Sequence, residues 1–145
     1  MGTNQKELSY FTLRLRELLL NSFPELAWNS GFIEERSRWA ATAYENAFMS
    51  GYPVAHCDQI SDGILFEGLG FSRFDTVFRV VYNEFDRIMA DEELRPFAMK
   101  MLTVCEAVFQ QYVLTEDFAD SPGYDLLYTE LTGTIQIWIE ENGLQ

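Results

Sequence analysis

The sequence predicts an all-α protein, read as a compact single domain of five to six helices. Three observations carry that expectation. Apolar residues recur at three- and four-residue spacing along most of the chain, which marks one face of a helix. Proline, glycine and capping residues punctuate the pattern at intervals suited to helices of ordinary length. Apolar side chains make up 48% of the 145 residues, enough for a chain of this size to build a core without disulfide staples.

The first helix is expected over residues 4–23. Asn4 can cap it with Glu7 as the reciprocal partner, and Leu8, Phe11, Leu15, Leu18 and Leu19 fall on one face. Arg14 and Glu17 lie outside that stripe, and Pro24 ends the helix because the residue before proline is pushed out of helical geometry. A connector over residues 25–30 holds Leu26 and Trp28. Helix two is expected over residues 31–49, with Phe32, Ile33, Arg36, Ala40, Ala43, Tyr44 and Ala47 on one side and Gly51 as a left-handed C-cap. Its small residues let another helix approach closely.

Helix three starts near Pro53, which suits a first turn, and runs to about residue 67. Val54, Cys57, Ile60, Ile64 and Leu65 form its apolar side. Gly68 and Gly70 end it. Ser72 caps helix four, with Asp75 at its electropositive end. Phe74, Val77, Phe78, Val81, Phe85, Ile88 and Met89 then make a strongly core-facing helix to about residue 90. Asp91 signals another cap, but Pro96 disfavours a helix already begun at Glu92, so the expectation is either a short turn first or helix five proper from about residue 95, running to about residue 115. Ser121 and Pro122 resemble a cap with proline in the first helical position. Residues 124–142 are ambiguous: Leu127, Leu131, Ile135, Trp138 and Ile139 fit a helix, whereas Ile135, Ile137 and Ile139 also alternate like a strand. Length favours the helix. Helices one, four and five are expected to supply most of the core.

Charge is distributed unevenly. The chain carries a net of -13, and no Lys or Arg follows Lys100. The last 45 residues hold eight carboxylates: Glu106, Glu116, Asp117, Asp120, Asp125, Glu130, Glu140 and Glu141. Polyanion binding needs clustered cations that release counterions, so direct binding to DNA, RNA or an anionic membrane is not expected. Helix four carries three arginines and three acids and spends its length on Phe and Val, which does not suit a DNA-reading helix. The start, residues 1–5, lacks a basic region followed by an apolar run, and no stretch reaches the ~18–20 apolar residues of a membrane span. A cytoplasmic protein is the expectation, with Cys57 and Cys105 buried and reduced.

Several segments resemble a Bacteroidetes family known as a domain of unknown function and often found among mobile-element genes. They are Glu7-Leu8-Ser9-Tyr10, Pro24-Glu25-Leu26, Ala43-Tyr44-Glu45-Asn46-Ala47, Ile64 through Ser72 (ILFEGLGFS) and Tyr82-Asn83-Glu84-Phe85, all within residues 7–85. The resemblance implies no activity and no catalytic residues.

No catalytic, metal-binding or cofactor-binding constellation stands out, and no cofactor is expected. His56 is the single histidine. It sits beside Cys57 and Asp58, and consecutive helical side chains diverge by about 100°, so the three cannot grip one ion. Asp58 and Asp62, four apart, could share a cation weakly. Gly68-Leu69-Gly70 follows a helix and lacks the Lys-Ser/Thr of a phosphate loop. The expected role is a non-enzymatic interaction module with a protein partner or a second copy, and Trp28, Trp39, Tyr44 and Phe71 are the candidate binding rings. Two alternatives remain at this point: an acidic DNA mimic that occupies a basic cleft, and an enzyme of unidentified class.

Overall fold

The computed structural model describes residues 7–144. Among them the secondary structure is entirely helical: seven α-helices and one 3-10 turn, with no strand. The chain divides into two compact units at Leu69 and Gly70.

The first unit contains α1 (Leu8–Ser22), α2 (Ser30–Met49) and α3 (Val54–Leu65). Glu7 stands in the N-cap position of α1, and the cap expected at Asn4 lies outside the described residues. α2 begins where Asn29 accepts the Phe32 N–H at 3.0 Å. It ends in a Schellman motif: Gly51, at φ 93°, donates to Phe48 O at 3.0 Å, and Tyr52 donates to Ala47 O at 3.2 Å. α3 starts after Pro53, which occupies the N-cap position, and stops at Leu65, two residues short of expectation. Phe11, Leu15 and Leu19 of α1 meet Ile33, Ala40, Tyr44 and Ala47 of α2 and Cys57 and Leu65 of α3. Each fully buried Leu or Phe contributes about 1.5–3 kcal/mol relative to exposure.

The second unit contains α4 (Arg73–Phe85), α5 (Asp91–Val104), α6 (Glu106–Phe109), the 3-10 turn Phe118–Asp120 and α7 (Gly123–Asn142). Ser72 Oγ caps α4 by accepting the Asp75 N–H at 2.9 Å. α5 begins at Asp91, earlier than the position of Pro96 suggested. Glu93 makes this start possible: its carboxylate accepts the Ala90 N–H at 3.1 Å and its own N–H bonds Ala90 O at 2.9 Å. Pro96 is exposed, so the hydrogen bond it cannot donate is lost on the solvent side.

The expected fifth helix is broken into α5 and α6, which raises the count above five or six. The interruption falls at Cys105, and Met101, Cys105 and Phe109 on its two sides are all at 0–1% exposure. α7 settles the ambiguous segment as helix. Ile135 is buried and Ile137 is 56% exposed, the divergence that a two-residue step produces on a helix and not on one face of a strand. Ser121 does not cap α7; its hydroxyl donates to Phe118 O at 2.7 Å.

The core expectation needs correction. Buried residues form two clusters, one in each unit. The α1 stripe belongs to the cluster with α2 and α3, whereas α4 and α5 pack with α7. Periodicity identifies the buried face of a helix but not the helix that covers it.

Candidate protein-interaction surface

Trp28 is 83% exposed and Trp39 51% exposed. The turn over residues 24–28 holds Trp28 outward. Leu26 N bonds Phe23 O at 2.9 Å, Asn29 N bonds Leu26 O at 3.1 Å, and Ala27 is buried beneath the turn. Asn29 then caps α2, so Trp28 stands immediately before a fixed helix start. Trp39 lies about 120° around α2 from the buried stripe of Ile33, Ser37, Ala40, Tyr44 and Ala47.

The other two candidate rings are placed differently. Tyr44 is 1% exposed and its ring lies 6.4 Å from Phe11 in the first core. It is a core residue, because it lies on the same stripe as Ile33, Ala40 and Ala47. Phe71 is partly buried, edge-on to Phe118 at 5.4 Å. Of the four candidate rings, the two tryptophans are the exposed ones.

Two arginines brace the first unit. Arg14 of α1 donates to both carboxylate oxygens of Asp62 of α3, at 2.6 and 3.2 Å. This bidentate geometry is the strong form of the ion pair, and the hydrogen bond to Asp62 raises the Arg14 pKa further above its usual value. Asp62, which with Asp58 could have shared a cation weakly, is paired with a side chain of the protein. Arg36 of α2 reaches the C-terminal end of α3, donating to Glu67 O at 2.7 Å and more weakly to Ile64 O at 3.4 Å. A cation there satisfies carbonyls that the helix leaves open.

The second unit carries a polar seam between α4 and α7. Arg79 donates to the Tyr124 hydroxyl at 2.9 Å; the Tyr128 hydroxyl receives Asn83 at 3.3 Å and donates to Glu84 at 2.9 Å. The two tyrosines are four residues apart, as are Arg79 and Asn83, so paired helical faces produce the ladder. Burial raises the Tyr128 pKa. Tyr112 donates to Glu130, and that bond pushes its pKa up to about 12. A shallow groove of about 320 Å³ runs along Asp75, Phe78, Arg79, Tyr82 and Asn83. A cleft of about 250 Å³ is lined by Met89, Glu92, Glu93, Pro96, Phe97, Lys100 and Leu144.

His56 is exposed against Tyr52, ring centroids 4.7 Å apart, while Cys57 is fully buried and donates to Tyr52 O at 3.6 Å. The two neighbours diverge, one exposed and one buried, as consecutive helical positions do. Among the described residues, no three His, Cys, Asp or Glu side chains are grouped to hold a metal ion. No described helix is long and apolar enough to cross a membrane.

The family described as "Domain of unknown function (DUF1896)" matches residues 3–144. The chain belongs to this family. The match extends well past the segments within residues 7–85 and takes in the acidic final third. A crystal structure of protein PG0816 from Porphyromonas gingivalis is similar at 40% identity and a TM-score of 0.92, covering 100% of this chain and 99% of that one. No curated protein matches.

The sequence reading passed over Arg14–Asp62 and the Tyr124–Tyr128 seam. Both had a signal: Arg14 lay off the apolar stripe of α1, and the two tyrosines shared an i, i+4 face.

Proposed function

We propose that this domain is a non-enzymatic protein-interaction module that engages its partner through Trp28 and Trp39. The observation that carries the proposal is Trp28 at 83% exposure on a hydrogen-bonded turn. A turn whose backbone is already fixed by hydrogen bonds loses little further backbone entropy on docking, and tryptophan is strongly enriched among residues that dominate binding energy. The 145 residues act as one module, since the family match runs through both units. The cytoplasm suits it, because two free buried thiols are compatible with a reducing compartment.

The test is affinity capture from the native host with wild-type protein and a Trp28→Ala/Trp39→Ala variant, together with a size measurement of each. Both substitutions lie on the surface, so the variant's melting temperature should match wild type within the small range of such changes. A partner retained by wild type and lost by the variant supports the role. If the wild type is a dimer and the variant a monomer, the partner is a second copy. An identical capture profile and size for both proteins would rule out the tryptophans as the contact.

A further inference from the structure

α7 carries two apolar lines, and only one of them is used inside its unit. Leu127, Leu131 and Ile135 are completely buried. On the opposite side Leu126 is 60% exposed and Ile137 is 56% exposed. Their eleven-residue separation returns them to within about 20° of each other on the helix. Gly133 falls on the same line between them. A Cβ at Gly133 would meet nothing within 4 Å, so packing inside the unit does not demand glycine there. Glycine in mid-helix nevertheless costs roughly 0.5–1 kcal/mol relative to alanine.

Carboxylates frame this line. Glu130 and Glu141 lie about 40–60° to one side and Glu140 about 40° to the other, and all three are exposed. Glu130 also accepts the Tyr112 hydroxyl, and Glu140 accepts Gln136 Nε2 at 3.1 Å. A carboxylate has room for further donors, with about four lone-pair positions. No Lys or Arg of the sequence follows Lys100, so α7 has no cation of its own on this face.

We propose that the outer face of α7 is a docking site for a basic amphipathic helix of a partner protein. Leu126 and Ile137 meet the partner's apolar stripe, Gly133 admits a close approach of its backbone, and the flanking glutamates receive its Lys or Arg side chains. This is helix-on-helix recognition read through apolar anchors at helical spacing. A second copy is the poorer occupant, since pairing α7 with itself sets acid against acid with no cation on this face of either helix. The site uses neither Trp28 nor Trp39, and it stands or falls separately from the role proposed for them.

The experiment is a fluorescence-anisotropy titration of the intact protein with a labelled Leu/Lys peptide of helical period, at low and at physiological salt. A scrambled peptide of the same composition and a Leu/Glu peptide of the same period serve as comparisons. The Leu/Lys peptide should bind at least roughly tenfold tighter than its scrambled form and weaken as salt rises. The Leu/Glu peptide should not bind. Ile137→Lys and Gly133→Leu should each weaken binding at least roughly tenfold while leaving the melting temperature unchanged or higher, and Trp28→Ala should have no effect. Equal binding of the helical and scrambled peptides would overturn the proposal. So would undiminished binding by both α7 variants, or a homodimer that Ile137→Lys dissolves.

Discussion

Glycine-to-alanine substitution should change sign with position. At Gly70, an added Cβ would lie 2.6 Å from Glu116 Cβ, 3.0 Å from its Cγ and 3.0 Å from its carbonyl oxygen. Carbon atoms pack at about 3.5–4.0 Å, so the contact must open by about 1 Å. A rotamer change does not relieve it, because two of the three obstructing atoms, Cβ and the carbonyl oxygen, are fixed by the backbone of residue 116. Overpacking of this kind costs about 1–3 kcal/mol. At Gly63 in α3 and Gly133 in α7, an added Cβ meets nothing within 4 Å, and alanine there should stabilise by about 0.5–1 kcal/mol. At about 3 °C per kcal/mol for a chain of this size, Gly70→Ala should lower the melting temperature by roughly 3–10 °C and each helical substitution should raise it by roughly 1–3 °C. Differential scanning calorimetry of the three single variants beside wild type measures all of these. A Gly70→Ala protein that melts at or above wild type would refute the close approach to Glu116, and a destabilised Gly133→Ala would refute the open face of α7.

Cys105, Tyr112 and Ser37 each carry further predictions. Burial pushes the Cys105 thiol from 9.0 up to about 12, making its thiolate about 1000-fold rarer at pH 8. Alkylation followed by mass spectrometry should therefore find Cys105 at least that much slower in native than in urea-unfolded protein, and a rate within tenfold would count against it. Between pH 9 and about 12 the unfolded chain ionises at this thiol while the folded chain keeps its proton, so stability should be intact below that window and fall as pH rises through it. Tyr112 should ionise at about 12 in a phenolate absorbance titration; Glu130→Gln should move it back towards 10 by removing the carboxylate, and an unchanged titration would exclude that bond as the cause. Ser37 Oγ is fully buried with no hydrogen-bond partner among the described residues, so Ser37→Ala should be neutral or stabilising by up to about 1 kcal/mol in urea denaturation, whereas a loss of stability would show that the hydroxyl is bonded.

Much of the helical order was legible because local signals agreed with one another. Pro24 after the first apolar stripe, Gly51 after the second and Ser72 ahead of Asp75 marked boundaries within one or two residues. The misplacements came from tertiary demands that override local preference. Pro96 argued against a helix from Glu92, yet Glu93 supplies enough capping to start α5 at Asp91. Nothing local marked a break at Cys105, which lies on the same apolar stripe as Met101 before it and Phe109 after it. The candidate surface was legible in part. Trp28 and Trp39 lay off the apolar stripes and are exposed. Tyr44 lay on one and is buried, so its position carried more information than its aromatic identity. By the same logic Leu126 and Ile137 were recoverable, since a stripe through Leu127, Leu131 and Ile135 leaves both on the far side.

The charge break at Lys100 takes on a more specific meaning from these positions. All eight carboxylates beyond it are exposed, and they lie in α6, on α7 or in the loop bearing the 3-10 turn at Phe118–Asp120. A surface that imitates nucleic acid must present negative charge in an unbroken line, as a phosphate backbone does. The outer face of α7 instead interleaves Glu130, Glu140 and Glu141 with Leu126, Gly133 and Ile137. That pattern mates with a helix having an apolar stripe and cationic margins, and it divides the binding energy into two parts. The charge contribution is screened within about 8–10 Å at physiological salt. The apolar contribution is not. Binding at this face should therefore weaken with salt and then level off, where an imitator of DNA facing a basic cleft would continue to lose affinity steeply.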